Sequence, residues 1–153
     1  MKSPKFILTD NLNKLAELLR MLGYDAFVAR SISFDKMITI AVKERRILLT
    51  RSSRQANSNK KFSRQLIIAE LPLHQLEELR DLIEYDKDKQ FTRCLKCNSQ
   101  LYPISKQNLP NNVPEFVKDN KDEFFICRKC KQVFWRGTHY EDMQAMIKSF
   151  FNK

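Results

Sequence analysis

The sequence predicts an α/β fold with a parallel sheet flanked by helices, followed by a smaller part that contains the cysteines. Strand-like and helix-like segments alternate through residues 1–84. The strand-like runs are apolar throughout, which is typical of a sheet covered on both faces. Between them, apolar residues recur at helical spacing. This alternation favours parallel strands joined by right-handed crossovers.

The elements follow one another along the chain. Strands are predicted at residues 6–9, 26–29, 47–50 and 66–69. Helices are predicted at residues 12–22, 34–45 and 72–83. Gly23 supplies a stop after the first helix, and Ser33 could cap the second. Pro72 suits the first turn of the third helix, because no helical partner exists there for a backbone N–H.

The composition changes after a charged connector at residues 85–89. All four cysteines lie beyond residue 93, and helical periodicity disappears until the C-terminal tail. A last helix is predicted there by one apolar stripe: Tyr140, Met143, Met146, Ile147 and Phe150. We therefore predict two domains, an α/β domain at 1–90 and a cysteine-containing domain with a C-terminal helix at 91–153.

The cysteines form two Cys-x-x-Cys pairs, Cys94/Cys97 and Cys127/Cys130, with 29 residues between them. Two tight turns that each deliver two thiolates suit tetrahedral Zn²⁺. Basic neighbours would offset the negative charge of such a site: Lys96, Arg128, Lys129 and Lys131. Disulfides are rare inside cells, and a thioredoxin-like redox pair would open a helix after a first strand. We expect one structural zinc ion, which folds a small module and does not catalyse.

Composition and charge narrow the class of protein. No apolar run is long enough for a membrane span, and the N-terminus lacks signal-peptide features, so we expect a soluble, cytoplasmic protein. With only 2 glycines there is no P-loop, nucleophile elbow or glycine-rich dinucleotide turn, and no nucleotide cofactor is expected. The net charge of +10 suits a polyanionic partner such as RNA, and equally a solvated surface.

Acidic residues lie where ligands collect in α/β folds, at the carboxyl ends of the strands. Asp10 directly follows the first predicted strand, Asp35 begins the helix after the second, and Glu70 directly follows the fourth. Together, these carboxylates could hold Mg²⁺ or Mn²⁺ and activate water against a phosphodiester. Taken singly, Asp10 and Asp35 could instead be helix caps or partners of the helix dipole.

Residues 43–64 form the most basic segment, with 8 Lys and Arg against one acid. Serine and asparagine side chains in the same stretch add neutral hydrogen-bond donors. Such a loop could bind phosphates without reading bases, or it could be solvated surface. The candidate RNA-binding residues are Arg51, Arg54, Lys60, Lys61 and Arg64.

Three strings along the chain are similar to those of one known family. Residues 6–25 match its opening strand, helix and L-G-[FY]-D turn, and residues 47–51 match its L-L-T-R strand. Residues 94–140 match its cysteine ribbon, ending in a W-R-G-[ST]-H-[YW] signature. The sequence thus resembles the Mut-seven C-terminal RNase domain family, a PIN-like nuclease domain with an appended zinc ribbon. The resemblance implies a metal-dependent RNase fold, with Asp10 and Asp35 as candidate metal ligands.

The sequence departs from the family pattern at the implied active site. The pattern expects an aspartate directly after L-L-T-R, where this chain has Ser52 followed by Ser53. A serine cannot supply the negative charge that holds a hard divalent cation. One hypothesis is therefore a metal-dependent ribonuclease, and another is an RNA-binding module with little or no catalysis on the same scaffold. A third is a protein–protein adaptor that uses the ribbon.

Overall fold

The parallel sheet predicted for the first part of the chain is present. The structure is a computed structural model that describes residues 2–153, which form two compact units, the first ending at Asn98 and the second beginning at Ser99. The strands of the first unit are β1 (Lys5–Thr9), β2 (Ala26–Ala29), β3 (Arg46–Thr50) and β4 (Arg64–Leu66). All are parallel, in the order β2-β1-β3-β4, which confirms the predicted α/β class.

Helices connect these strands. They are α1 (Asn13–Met21), α2 (Phe34–Glu44), α3 (Ser53–Ala56) and α4 (Pro72–Glu77). Ser33 caps α2 as predicted, because its hydroxyl accepts a hydrogen bond from the backbone N–H of Lys36 at 3.2 Å. Gly23 follows the first helical segment with a φ of +96°, and a Cβ at this position would lie 2.3 Å from the carbonyl oxygen of Lys89. The turn therefore requires glycine.

The two central strands, β1 and β3, are buried on both faces. Ile7 and Leu48 share a core cluster with three residues of α2, namely Met37, Ile38 and Ala41. Phe6 and Leu8 alternate with Ile7 along β1, so their side chains point to the other face. Both are fully buried. Coverage of both faces is the physical reason why these strands carry no polar alternation.

The predictions at residues 66–69 and 72–83 are wrong in their bounds. β4 ends at Leu66 and α4 ends at Glu77. The carboxylate of Glu78 accepts hydrogen bonds from the backbone N–H groups of Ile68 at 3.0 Å and Ala69 at 2.6 Å. Those amides are thus bonded to a side chain and do not extend the sheet ladder.

The second unit contains a three-stranded antiparallel sheet. Its strands are β5 (Leu101–Ile104), β6 (Phe124–Cys127) and β7 (Val133–Trp135), in the order β5-β6-β7. The last helix, α6 (Thr138–Phe151), confirms the predicted C-terminal helix. A further helix, α5 (Glu115–Asn120), was not predicted, because 6 residues are too few to display an apolar period. None of the described helices combines the length and the apolar character that a membrane span needs.

Candidate functional site

Asp10 and Arg30 form an ion pair at the carboxyl edge of the parallel sheet. Thr9 of β1 is in register with Ala29 of β2, so the next residues of the two strands, Asp10 and Arg30, are neighbours. Arg30 Nη1 donates to Asp10 Oδ1 at 2.7 Å, and Arg30 Nη2 donates to Asn13 Oδ1 at 2.6 Å. Asp10 makes no capping hydrogen bond to the helical turn that begins there. Sequence reasoning missed Arg30, although it directly follows a strand, as Asp10 does.

Asp35 lies in the first turn of α2 and pairs with Lys60. Lys60 Nζ donates to Asp35 Oδ1, and both side chains are exposed. The cap of α2 is Ser33, so Asp35 is not needed as one. Each of the two aspartates predicted to hold a metal therefore has a cationic partner from another segment.

Glu70 lies beyond the end of β4 at Leu66, so the prediction that it directly follows the strand is wrong. The residue is exposed. Across residues 2–153, the four cysteines are the one group of three or more His, Cys, Asp or Glu side chains close enough to share a metal ion. The carboxylates of Asp10, Asp35 and Glu70 do not form such a group, and an acidic Mg²⁺ or Mn²⁺ site stays a prediction.

Two hydroxyl groups organise the carboxyl end of β3. Ser52 Oγ accepts a hydrogen bond from the backbone N–H of Gln55 at 3.2 Å and thereby caps α3. Thr50 Oγ1 accepts from the backbone N–H of Ser52 at 3.1 Å and donates to the side-chain oxygen of Gln55. Ser52, which stands where a third acid was expected, thus has a structural role in starting a helix.

Arg64, one of the predicted RNA-binding residues, is committed to its own loop. Its guanidinium donates to the carbonyl oxygens of Ala56, Ser58 and Lys60. The same group lies 3.8 Å from the centre of the Phe62 ring. Because these N–H donors bond to carbonyl oxygens of the basic loop, Arg64 stabilises the conformation of that loop.

The other predicted RNA-binding residues differ in whether their charged groups already have partners within the protein. Lys60 pairs with Asp35, and Arg51 donates to the carbonyl oxygen of Ile68 at 3.3 Å. Arg54 and Lys61 are exposed and make no side-chain hydrogen bond or ion pair with any residue that the structure describes. These two cations are the ones available to an anionic ligand.

The sulfur atoms of Cys94, Cys97, Cys127 and Cys130 all lie within 4.8 Å of one another. No disulfide joins any two of them. Tetrahedral coordination with zinc–sulfur bonds of about 2.3 Å places sulfur atoms about 3.8 Å apart, so the four cysteines suit a metal such as zinc. Four protein ligands leave no open position for water or substrate, which makes such a site structural.

The two Cys-x-x-Cys turns share a backbone hydrogen bond and a left-handed residue at the same position. We refer to residues 94–98 as the first cysteine turn and to residues 127–131 as the second cysteine turn. Asn98 and Lys131, the fifth residue of each, both adopt a φ of +66°. The N–H of Asn98 donates to the Cys94 carbonyl oxygen at 2.9 Å, and the N–H of Lys131 donates to the Cys127 carbonyl oxygen at 2.7 Å.

Arg20 of α1 attaches the first cysteine turn to the α/β unit. Its Nη1 donates to the carbonyl oxygens of Leu95 at 2.6 Å and Lys96 at 3.2 Å, and its Nε donates to that of Ala26 at 3.0 Å. The side chain is only 4% exposed. Burial lowers the pKa of Arg20, and the charge of the nearby Cys94 thiolate opposes that effect. A buried, charged guanidinium therefore bonds to the backbone beside two of the four clustered cysteines.

Asn98 extends this attachment to the sheet. Its Oδ1 accepts from the backbone N–H of Ala26 at 2.9 Å, and its Nδ2 donates to Asp25 Oδ1 at 2.7 Å. Arg46 Nη1 also donates to Asp25 Oδ1, at 2.7 Å. Burial would raise the pKa of Asp25, but the hydrogen bonds from Arg46 and Asn98 hold that pKa below its usual value. Because Asp25 precedes β2 and Arg46 begins β3, the first cysteine turn lies at the amino edge of the sheet, opposite Asp10.

Comparison with known proteins identifies the family. A sequence model described as the Mut7-C RNAse domain matches residues 4–147, which is nearly the whole chain. No significant match was found among curated proteins or among solved structures. The family match includes the strands that position Asp10 as well as the four clustered cysteines. The chain therefore belongs to the Mut7-C RNAse domain family, as its sequence motifs predicted.

Proposed function

We propose that this protein binds single-stranded RNA at the carboxyl edge of its parallel sheet, with little or no metal-dependent cleavage there. The observation that carries the proposal is the pairing of both expected metal ligands with cations, Asp10 with Arg30 and Asp35 with Lys60. A hard divalent cation would have to displace two positive side chains and would find Ser52 where a third acid was expected. Membership in an RNase domain family supports RNA as the ligand.

The basic segment that comprises α3 and the loop to β4 would contact the RNA backbone. Arg54 and Lys61 are exposed and free of ion pairs within the described chain. Exposed basic side chains bind phosphates and position a nucleic acid without reading its bases. Arg64 holds the loop in shape through the carbonyl oxygens of Ala56 and Ser58, so its contribution would be indirect.

Salt-dependent binding tests this role. We expect Arg54→Gln/Lys61→Gln to weaken binding to a single-stranded oligoribonucleotide and to reduce the slope of log affinity against log salt by about 1.4, since each phosphate contact on a single strand contributes about 0.7. The matched control is Lys43→Gln/Arg45→Gln, which removes two exposed cations at the amino edge of the same sheet. Equal slopes for the two variants, measured by fluorescence anisotropy, would contradict the assignment.

A metal-dependent ribonuclease is the second candidate. It is favoured by the family match and by the positions of Asp10 and Asp35 after two neighbouring strands. Asp10 and Asp35, with Glu70 as a further candidate, would hold Mg²⁺ or Mn²⁺, which activates water for attack on a phosphodiester. Arg30 and Lys60 would then be free to bind the phosphates of the substrate.

A cleavage assay separates the two candidates. Turnover of unstructured RNA with Mn²⁺ that Asp10→Asn abolishes would establish the ribonuclease. Absence of turnover together with salt-sensitive binding would establish the binding module. Turnover that persists in Asp10→Asn would rule out the metal role assigned to that carboxylate.

For the cysteine cluster we propose zinc, at about one ion per chain. Metal analysis of the folded, purified protein checks this value, and a content near zero would contradict it. Four clustered cysteines that form no disulfide suit a reducing compartment, so we propose that the protein acts in the cytoplasm.

A further inference from the structure

We propose that the second cysteine turn (residues 127–131), together with Tyr102, forms another surface that binds single-stranded RNA. The inference rests on the proposed function only in taking RNA as the ligand. Its central observation is a stacked pair, in which the Arg128 guanidinium carbon lies 3.6 Å from the centre of the Tyr102 ring. Arg128 is exposed and makes no hydrogen bond or ion pair with any residue between 2 and 153.

The free donors of Arg128 distinguish it from Arg64, which also lies on an aromatic ring. Arg64 uses its N–H groups on three carbonyl oxygens of its own loop. Arg128 keeps all its N–H donors for a ligand, while the tyrosine ring fixes the orientation of the guanidinium plane. A planar, oriented guanidinium can stack against a base and can donate two hydrogen bonds to a phosphate.

The antiparallel register explains why the two side chains meet. Tyr102 of β5 lies opposite Ile126 of β6. Arg128 directly follows the last residue of β6, Cys127, and its guanidinium reaches the Tyr102 ring from there. Tyr102 is 39% exposed, which leaves part of the ring accessible beside the guanidinium.

Positive charge around this stacked pair is not balanced by acids. Lys129 and Lys131 flank it, and both are exposed and without an ion pair in the described chain. Elsewhere in the same unit, some basic residues pair with acids, as in Lys106–Asp122, Lys118–Glu115 and Arg136–Glu123. Residues 124–133 contain no acid. An aromatic ring with unpaired Arg and Lys side chains is the composition of a surface that binds single-stranded nucleic acid.

The test compares two triple variants of the full-length protein on a labelled single-stranded oligouridylate. The first removes the cations of the second cysteine turn: Arg128→Gln/Lys129→Gln/Lys131→Gln. The matched control removes three cations of the same unit that also lack ion pairs: Lys121→Gln/Lys148→Gln/Lys153→Gln. Since three phosphate contacts would be lost, we expect the first variant to bind at least about tenfold more weakly at low salt, with a salt slope reduced by about 2. The control is expected to keep the wild-type slope.

A single variant, Arg128→Lys, distinguishes the contribution of the planar guanidinium from that of its charge. It also tests the proposal if the triple variant loses its metal. We expect this variant to bind more weakly at an unchanged salt slope, because it keeps the charge and loses the planar group. Zinc content is measured for every variant. If the triple variant loses zinc and Arg128→Lys binds as the wild type does, the cations serve the metal site and the proposal is overturned.

The remaining outcomes distinguish this proposal from the proposed function. Wild-type protein that fails to bind RNA at low salt overturns both. Wild-type binding with the same slope in the two triple variants overturns only the role of the second cysteine turn.

Discussion

The first and second cysteine turns each end in a residue with a φ of +66° whose N–H bonds to the carbonyl oxygen of the first cysteine. Their side chains are used in different ways. In the first turn, Asn98 bonds to Ala26 and Asp25, and the carbonyl oxygens of the turn accept from buried Arg20. In the second turn, the Lys131 side chain makes no hydrogen bond or ion pair with a described residue, and the Arg128 guanidinium lies over the Tyr102 ring.

The two turns therefore share backbone features and differ in what their outer side chains contact. Four thiolates around one ion need two tight turns, whatever lies outside them. The Asn98 side chain of the first turn serves stability, because it bonds to Ala26 at the start of β2 and to Asp25 directly before that strand. The outer side chains of the second turn are available for binding.

Removal of the metal should have the largest effect, because both turns depend on it. A strong chelator is expected to abolish the ordered structure of the small three-stranded sheet, since a structural zinc site contributes roughly 10 kcal/mol or more to folding. Fluorescence of Trp135, which lies in β7, reports on that sheet directly. Unchanged Trp135 fluorescence and circular dichroism in demonstrably zinc-free protein would show that the cysteines do not hold the module together.

Arg20→Met should be the most damaging single change in the attachment of the first turn. It leaves the carbonyl oxygens of Leu95, Lys96 and Ala26 without a donor, at an expected loss of about 3 kcal/mol in the free energy of unfolding. Arg128→Met in the second turn should lose no more than about 1 kcal/mol, because only an exposed ring contact disappears. Urea denaturation measures both. Comparable losses would erase the proposed distinction between the turns.

Asp25→Asn should reduce stability in a pH-dependent manner. The pKa of Asp25 is lower in the folded state than in the unfolded state, so its ionised form stabilises the fold above the unfolded pKa of about 3.9. That stabilisation is lost as the pH falls through the folded pKa. We expect the variant to lose about 2 kcal/mol at neutral pH and to approach the wild type in acid below about pH 4. A difference that does not depend on pH would contradict the ionic role of Asp25.

The smallest expected changes in stability are those caused by glycine at Lys131 and at Asn98, and the two changes should differ in sign. Glycine relieves a left-handed backbone by up to about 1 kcal/mol, so Lys131→Gly should be neutral or slightly stabilising. Asn98→Gly gains the same relief but loses the bonds to Ala26 and Asp25, and a net loss of about 1 kcal/mol is expected. Thermal unfolding of the two zinc-loaded variants measures the contrast, and changes of the same sign would count against it.

Local patterns were sufficient for the class of fold and for the metal cluster. Apolar runs located β1, β2 and β3, because strands covered on both faces have few polar residues. Apolar runs did not locate β4 correctly, because this edge strand begins with the polar residues Arg64 and Gln65. The backbone amides that could have extended β4 donate to the Glu78 carboxylate instead. Cysteine spacing identified the four residues that cluster, because two tight turns can be recognised from adjacent residues alone.

The candidate site at the carboxyl edge of the sheet was predicted only in part. Position after a strand singled out Asp10, and the same rule would have found Arg30 had it been applied to cations. Nothing in the spacing of Asp35 and Lys60, which are far apart in the chain, indicated that they would form an ion pair. Likewise, the string that contains Arg20 and Asp25 indicated a family, without revealing that both residues support a cysteine turn.

The sequence by itself determined the alternation of strands and helices, the two cysteine pairs that cluster and the family, because periodicity and spacing depend only on residues near one another in the chain. Tertiary structure alone decided which cation meets which carboxylate, where β4 ends, and which cysteine turn is anchored and which is free. Those outcomes depend on segments distant in sequence that meet only once the sheet has formed, and no local pattern specifies such a meeting.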